Sequence, residues 1–129
     1  MTLHLPLLEL QQAVYGRLSG LLDTPVYDAV PAGTAPPYLT LGEASVTDWS
    51  TKSSAGCEII LRLHVWSAYA GMSEAAGIMD AVSGALTGNP LVVAGYAVSL
   101  LRPVEHRLER DANGLRHGVL EFCFAVQGI

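Results

Sequence analysis

Charged residues are scarce in this sequence. Of its 129 residues, 15% are Asp, Glu, Lys or Arg, whereas 50% are hydrophobic. Intrinsically disordered chains combine high charge with low hydrophobicity, so this composition predicts a folded protein, and the length is that of a single domain, 1–129. A soluble monomer usually carries about 25% charged residues. The shortfall favours a surface that is covered in part by another protein.

Basic residues are the scarcer of the two charged groups. Seven Lys and Arg stand against twelve Asp and Glu, which gives a net charge of −5, and Lys52 is the single lysine. Proteins that bind duplex DNA cluster Lys and Arg against the phosphates. The arginines between residues 102 and 116 are interleaved with acidic residues, so their local charge is near zero. The sequence argues against specific recognition of nucleic acids.

Cysteines and long apolar runs are also few. Cys57 and Cys123 lie far apart in two apolar segments, which is neither a disulfide framework nor a metal-binding spacing, so we expect two buried, reduced thiols. No apolar run approaches the ~18 residues of a membrane helix. The start has Glu9 among its leucines and no basic residue before Arg17, unlike a signal peptide. We expect synthesis in the cytoplasm and no membrane partner.

Motifs of catalysis and cofactor binding are missing. The histidines show no metal-ligand spacing, and no phosphate-binding loop, dinucleotide fingerprint or nucleophile elbow occurs. Glu58, Arg62 and His64 share one face of a predicted strand, which could indicate acid–base chemistry, but a polar cluster on a sheet surface explains them as well. His106 and His117 flank a turn and are expected to face each other across it. The sequence predicts no catalytic residue, no metal and no cofactor.

Two helices are predicted from apolar residues spaced three or four apart. The first lies within Leu5–Leu22 and is ended by Pro25. The second begins with Ser73 as its N-cap and stops at Gly88–Pro90. The glycines in and around it are expected to allow close helix packing. The apolar stripe of the first helix consists of Leu7, Leu10, Val14, Leu18 and Leu21.

The rest of the sequence predicts strands joined by hairpins. An α+β fold follows: a mostly antiparallel sheet with two helices packed on one face and an extended hairpin arm or loop near residues 45–57. Asn113-Gly114 between alternating segments is a hairpin signal. The predicted strands are 38–41, 57–66, 91–93, 96–108 and 119–126. The sheet face away from the helices would carry Arg62, His64, Arg107 and Glu121, and is free to meet solvent or a neighbour.

A tryptophan lies in the polar segment between the first two of these strands. Trp49 is surrounded by Asp48, Ser50, Thr51 and Lys52. It must either fold back onto the core or bury itself against a partner, where tryptophan is enriched. Both readings stay open from the sequence.

Five short segments occur in an order that one protein family shares. They are Val30–Gly33, Pro37–Gly42, Thr47–Lys52, Leu63–Ser67 and Asn89–Leu91. In this succession the chain resembles the tail-completion, or tail-terminator, proteins of long-tailed phages and of bacterial gene transfer agents. The resemblance extends from about Leu10 to Phe124, and its segments are structural rather than catalytic.

The resemblance implies a small α+β subunit of a homo-hexameric ring, with no enzymatic activity. Such a ring caps the tail tube protein, stops tube polymerisation and presents a surface to a head-side stopper or adaptor protein. DNA passes through the central channel without specific binding. The implied location is the tail of a virion or phage-like particle, at the head–tail junction.

A ring that closes needs two different contact surfaces on each subunit. The hairpin arm and the exposed sheet face are the candidates. The residues expected at the interface are Asp48, Trp49, Ser50, Thr51, Lys52, Glu58, Arg62 and His64. Glu43, Asp48 and Glu58 are candidates for the channel lining, because acidic groups there would repel phosphate and let DNA slide. A mixed Glu58/Arg62 subunit interface would explain the same residues.

Two other functions stay open. The Arg102–Arg110 stretch is not distinctive enough to separate a terminator from another neck protein, an adaptor or a stopper. The third reading is a small-molecule enzyme or ligand-binding domain that uses Glu58, Arg62 and His64 beside Trp66.

Overall fold

Two helices and five strands make up the described part of the chain. The structure, a computed structural model, describes residues 6–50 and 55–128, the side chain of Leu100 excepted. The elements are α1 (Leu7–Leu21), β1 (Val26–Tyr27), β2 (Tyr38–Asp48), β3 (Gly56–Ser67), α2 (Ser73–Thr87), β4 (Tyr96–Arg110) and β5 (Arg116–Gly128). The sheet order is β1-β2-β3-β5-β4, with β1 parallel to β2 and the other neighbours antiparallel. The predicted α+β class is confirmed.

The alternation along β3 decides which face of the sheet is buried. Ile59, Leu61, Leu63 and Val65 are fully buried, whereas the residues between them are half-buried. The buried face packs with the apolar sides of the two helices in one core. Because strand side chains alternate between faces, a single register places all four in that core.

α1 follows its predicted stripe except at its end. Leu10, Val14 and Leu18 are fully buried, but Leu21 is 63% exposed. The helix ends at Leu21, where Leu22 turns to an extended conformation, so the last predicted member of the stripe points away from the core. The prediction for Leu21 was therefore wrong.

Two local predictions around α2 were also wrong. Ser73 is the first helical residue rather than the N-cap, which is Met72, and no side chain caps this end. Residues 91–93 form no strand and contribute only an isolated bridge between Val93 and Tyr96. Gly88–Pro90 does follow the end of the helix, as predicted.

The C-terminal end of α2 is held by a side chain from α1. Arg17 donates from Nη1 to the carbonyl oxygens of Ala85 and Asn89, both at 3.1 Å, and from Nη2 to that of Pro90 at 2.8 Å. The last turn of α2 contains no basic residue of its own. Arg17 therefore supplies the positive charge that a helix C-terminus favours and ties the two helices together.

Among the residues that the structure describes, none packs closely on the glycines inside α2, contrary to the sequence prediction. A Cβ atom built on Gly77 or on Gly84 meets nothing within 4 Å. We expect Gly77→Ala and Gly84→Ala each to raise the free energy of unfolding by about 0.5–1 kcal/mol, because glycine is a poor helix former. Chemical denaturation of the isolated subunit measures this.

Gly118 of β5 provides the matched control. A Cβ atom there would lie 2.6 Å from the Met79 sulfur and 3.4 Å from Cβ of Val65. Gly118→Ala should lower the free energy of unfolding by roughly 1–3 kcal/mol through overpacking. A loss of stability in either α2 variant would contradict the expected propensity effect.

Candidate functional site

The face of the sheet away from the helices, called here the uncovered face, carries the predicted functional residues Glu43, Glu58, Arg62 and His64. The register pairs Arg62 with Glu121, His64 with Val119 and Trp66 with His117. These side chains therefore share one face, as the sequence predicted for Arg62, His64 and Glu121.

Arg62 bridges two carboxylates on this face. Its Nε donates to Oε2 of Glu121 at 2.9 Å, and its Nη1 lies 3.5 Å from Oε2 of Glu43. The hydrogen bond with Glu121, and then the charge of that group, raises the pKa of the Arg62 guanidinium. Arg62 thus joins β3 to both of its neighbouring strands.

His64 lies between Glu43 and a second histidine. Its Nε2 is 3.0 Å from Oε1 and 3.3 Å from Oε2 of Glu43, and its Nδ1 is 2.8 Å from Nε2 of His117. An ionised carboxylate only accepts, so Nε2 of His64 carries the hydrogen of the first contact. The second contact then holds one hydrogen, donated either by His117 or by His64.

The contacts form a row in the order Glu43, His64, His117 and Glu109, and burial and charge shift the pKa of two of its members. Burial, and then the positive charge of His64, lowers the pKa of His117. Burial alone would raise the pKa of Glu43, but the hydrogen bond and the charge of His64 lower it overall. Glu109 follows His117 at the far end, with Oε1 3.9 Å from Nδ1.

The indole of Trp66 packs against His117. The rings of Trp66 and His117 are stacked with centroids 3.9 Å apart and an interplanar angle of 5°. On the other side, Gly42 allows His64 to approach the backbone, since a Cβ there would lie 2.5 Å from Cδ2 of the imidazole. The two contacts restrict the positions of both imidazole rings.

The end of the β2–β3 hairpin carries the second group of predicted residues. Oδ1 of Asp48 accepts from the Ser50 backbone N–H at 2.9 Å and from its hydroxyl at 2.6 Å, which lowers the pKa of Asp48. Trp49 donates its backbone N–H to the Gly56 carbonyl oxygen at 3.0 Å. Pairing of the strands continues to Asp48 and Cys57, so the predicted arm is the tip of a regular hairpin.

Trp49 takes up a position between the two predicted ones. Its ring lies against the backbone of Gly56, where a Cβ would come within 2.3 Å of the indole, yet 38% of the residue stays exposed. Thr51 and Lys52, the other predicted interface residues at this tip, lie outside the described residues.

One expectation about pairing was wrong. His106 and His117 do not face each other: His106 pairs with Leu120 and packs against Phe122, while His117 pairs with Glu109. Glu58 shares the uncovered face with Arg62, whose own contacts within the subunit go to Glu121 and Glu43.

Glu58 instead faces a buried cysteine. Burial, and then the hydrogen bond with Glu58, raises the pKa of the Cys123 thiol. Cys57 and Cys123 are both buried and free, as predicted.

The lowered pKa values of His117 and Glu43 predict that acid destabilises the subunit. The ordinary pKa of a histidine is near 6.5, and that of His117 is lowered by folding, so below pH 6.5 the unfolded chain binds more protons than the folded one. Glu43, with its pKa lowered from 4.5, adds a loss in the same direction at lower pH. The melting temperature should fall from pH 7.5 to pH 5.5 and continue falling toward pH 4.

The matched variants for this titration are two glutamines. His117→Gln should flatten the decline just below pH 6.5, because the proton uptake that causes it is removed. His106→Gln, on the other face of β4, should leave the decline unchanged. A melting temperature that rises on acidification would contradict the lowered pKa of His117.

Across residues 6–50 and 55–128, no cluster of three or more His, Cys, Asp or Glu side chains is arranged to hold a metal ion. In the same part of the chain, no helix is both long and apolar enough to cross a membrane.

Comparison with known proteins gives consistent matches. Residues 12–127 match the family of tail completion protein gp17. Tail completion protein gp17 of Bacillus phage SPP1 is 33% identical over 91 residues, which cover 70% of this chain and 67% of the phage protein.

Solved structures agree with the sequence matches. A chain in the virion of a native gene transfer agent particle is 35% identical with a TM-score of 0.82, covering 92% of this chain and 95% of that one. The SPP1 gp17 structure is 27% identical with a TM-score of 0.57, covering 92% and 90%. The predicted family and the predicted location in a particle tail are confirmed. The chain belongs to the tail completion protein gp17 family.

Proposed function

We propose that this protein forms a homo-hexameric ring at the head–tail junction. The ring caps the tail tube, stops its polymerisation and joins it to a head-side stopper or adaptor protein, while DNA passes through the centre. The observation that carries the proposal is the family match over residues 12–127, supported by the TM-score of 0.82 with a chain of a gene transfer agent virion.

The subunit offers two unlike surfaces for a closed ring. One is the hairpin tip with the half-exposed Trp49, and the other is the uncovered face around His64. Cys57, near the hairpin end of β3, and His64 are seven residues apart, or about 23 Å. The two surfaces are therefore far enough apart to contact two different neighbouring subunits. Unlike surfaces give heterologous contacts, which close into a ring at a fixed rotation.

An acidic channel lining would suit the passage of DNA because it repels phosphate. Among the candidates, Glu43 is held by Arg62 and His64, and Glu58 is half-buried. Asp48 is exposed at the hairpin tip with its pKa lowered by Ser50. We therefore place Asp48 first among the candidates for the channel lining.

A structural role is favoured over catalysis. The contacts of Arg62 and His64 go to Glu43, Glu121 and His117, which hold the strands of the sheet to one another. Membership of a tail protein family supports the same reading.

The test is the mass in solution, by light scattering coupled to size exclusion over a concentration series. We expect a species of six times 13.6 kDa for the protein alone, or, where the ring closes only on the tube, six copies bound at the tube end. Tubes assembled in its presence should also stop growing. A protein that stays monomeric with tubes present, or that binds a stopper but not the tube protein, would overturn the proposal and favour a different neck component.

A further inference from the structure

The hydrogen bond between the two histidines of the uncovered face is compatible with one extra proton on the pair but not with two. His64 and His117 share a single hydrogen across the 2.8 Å between Nδ1 and Nε2. With one extra proton the donor is an imidazolium and the acceptor a neutral imidazole, so the bond is kept. With two extra protons both facing nitrogens carry a hydrogen, and the bond is lost.

The charges that face the pair come from four elements and partly cancel. The strands β2 and β3 supply Glu43 beside His64 and the guanidinium of Arg62, and Glu121 of β5 binds that guanidinium. Glu109 of β4 and Asp111 of the following turn favour a charged His117, whereas Arg107 disfavours it. Tyr38 of β2 lies opposite Trp66 in the register.

The histidine pair is also in contact with Trp66, whose fluorescence can report on the positions of the rings. His117 is stacked on Trp66 at 3.9 Å, and the His64 and His117 centroids are 5.0 Å apart. Because Gly42 packs on His64 and Trp66 packs on His117, neither ring can move without changing its neighbour's contacts.

We propose that the His64–His117 pair is an acid-sensitive switch, in which uptake of a second proton breaks the hydrogen bond between the rings and releases the stack on Trp66. Uptake of the first proton keeps the hydrogen bond between the two rings and the stack on Trp66. The second places two cations on adjoining rings, and their repulsion moves the rings apart. This inference concerns the isolated subunit and does not depend on the proposed ring.

The test follows the imidazoles and the indole together. Nuclear magnetic resonance of the histidine ring carbons, from pH 8.5 to pH 4.5, should show the pair taking up its two protons in two separate steps. In a Trp49→Phe variant, where Trp66 is the remaining tryptophan, the emission should change with the second step. Backbone amide signals recorded alongside establish that the chain stays folded.

Two substitutions separate a coupled pair from independent groups. In His64→Gln, His117 should titrate in a single step, at higher pH than its second step in the unsubstituted protein. The matched control His106→Gln should leave both steps in place, because His106 packs against Phe122 on the other face. A single ordinary step for each histidine of the unsubstituted protein, or constant Trp66 emission through the second step, would overturn the proposal without requiring any variant of the pair.

Discussion

Replacing residues 50–55 by Asn-Gly, together with Trp49→Ser, is expected to leave a folded subunit that no longer completes tails. The backbone N–H at position 49 donates to the Gly56 carbonyl, so an Asn-Gly turn closes the two strands across this hydrogen-bonded pair in their present register. The change removes Trp49 and the rest of the tip but none of the buried side chains of β3. A tryptophan in an interface contributes about 2–4 kcal/mol, so joining should fall roughly 30- to 700-fold. The yield of joined particles, in cells whose own copy is deleted, measures the effect.

The control for this variant is another exposed apolar residue. Val92 is 83% exposed and lies outside the two proposed surfaces, so Val92→Ser should join tails normally. Circular dichroism and the melting temperature establish that the shortened hairpin still folds. Normal joining by the shortened protein would remove the hairpin tip from the proposed interface and leave the uncovered face as its main surface.

Arg17→Met is expected to lower the free energy of unfolding by about 2–3 kcal/mol. The substitution keeps the length of the aliphatic stem but removes three hydrogen bonds from a cation to the Ala85, Asn89 and Pro90 carbonyls. A hydrogen bond to a charged group stabilises by about 1.5–3 kcal/mol, and exposure of two of these bonds reduces their sum. Denaturant titration of the isolated subunit measures the change.

Two further arginine variants test whether the geometry or the charge matters. Arg17→Lys keeps the charge at the end of α2 but lacks the planar donors that reach several carbonyls, so it should recover only part of the loss. Arg102→Met, at an exposed position on β4, should change stability by less than about 0.5 kcal/mol. If Arg17→Met were as mild as Arg102→Met, the capping role would be refuted.

The regular parts of the fold could be predicted because one physical rule decides each of them. Strict alternation along β3 places Ile59 and Leu61 in the core whatever their partners are. The turn before β5 has Gly114 at φ +82°, a conformation that glycine adopts readily and other residues rarely do. By contrast, Ser73 was displaced from the cap by a single residue, a difference that propensity does not resolve.

The site could be predicted only as far as the faces of the strands. That Arg62, His64 and Glu121 lie together follows from alternation. The link from His64 to Glu43 does not, because a register shift between Leu41 and Ala44 in β2 sets where Glu43 lies.

The histidine partners were missed for a related reason. The turn pairs Arg110 with Arg116, and the same register continues without a shift to His106, which places Leu120 rather than His117 opposite it. A strand pattern predicts the side on which a residue lies, but the register set by turns and bulges decides what it touches.

The position of β5 has a consequence for how the chain folds. This strand follows all the others along the chain, yet it lies between β3 and β4 in the sheet. The β4–β5 hairpin is a local contact, whereas the pairing of β3 with β5 must close a loop that contains α2 and β4, so it carries the larger entropic barrier. On the ribosome, β3 therefore keeps one long edge unpaired until β5 has been synthesised. Completion of the central pair is therefore the step that joins the two parts of the sheet into one.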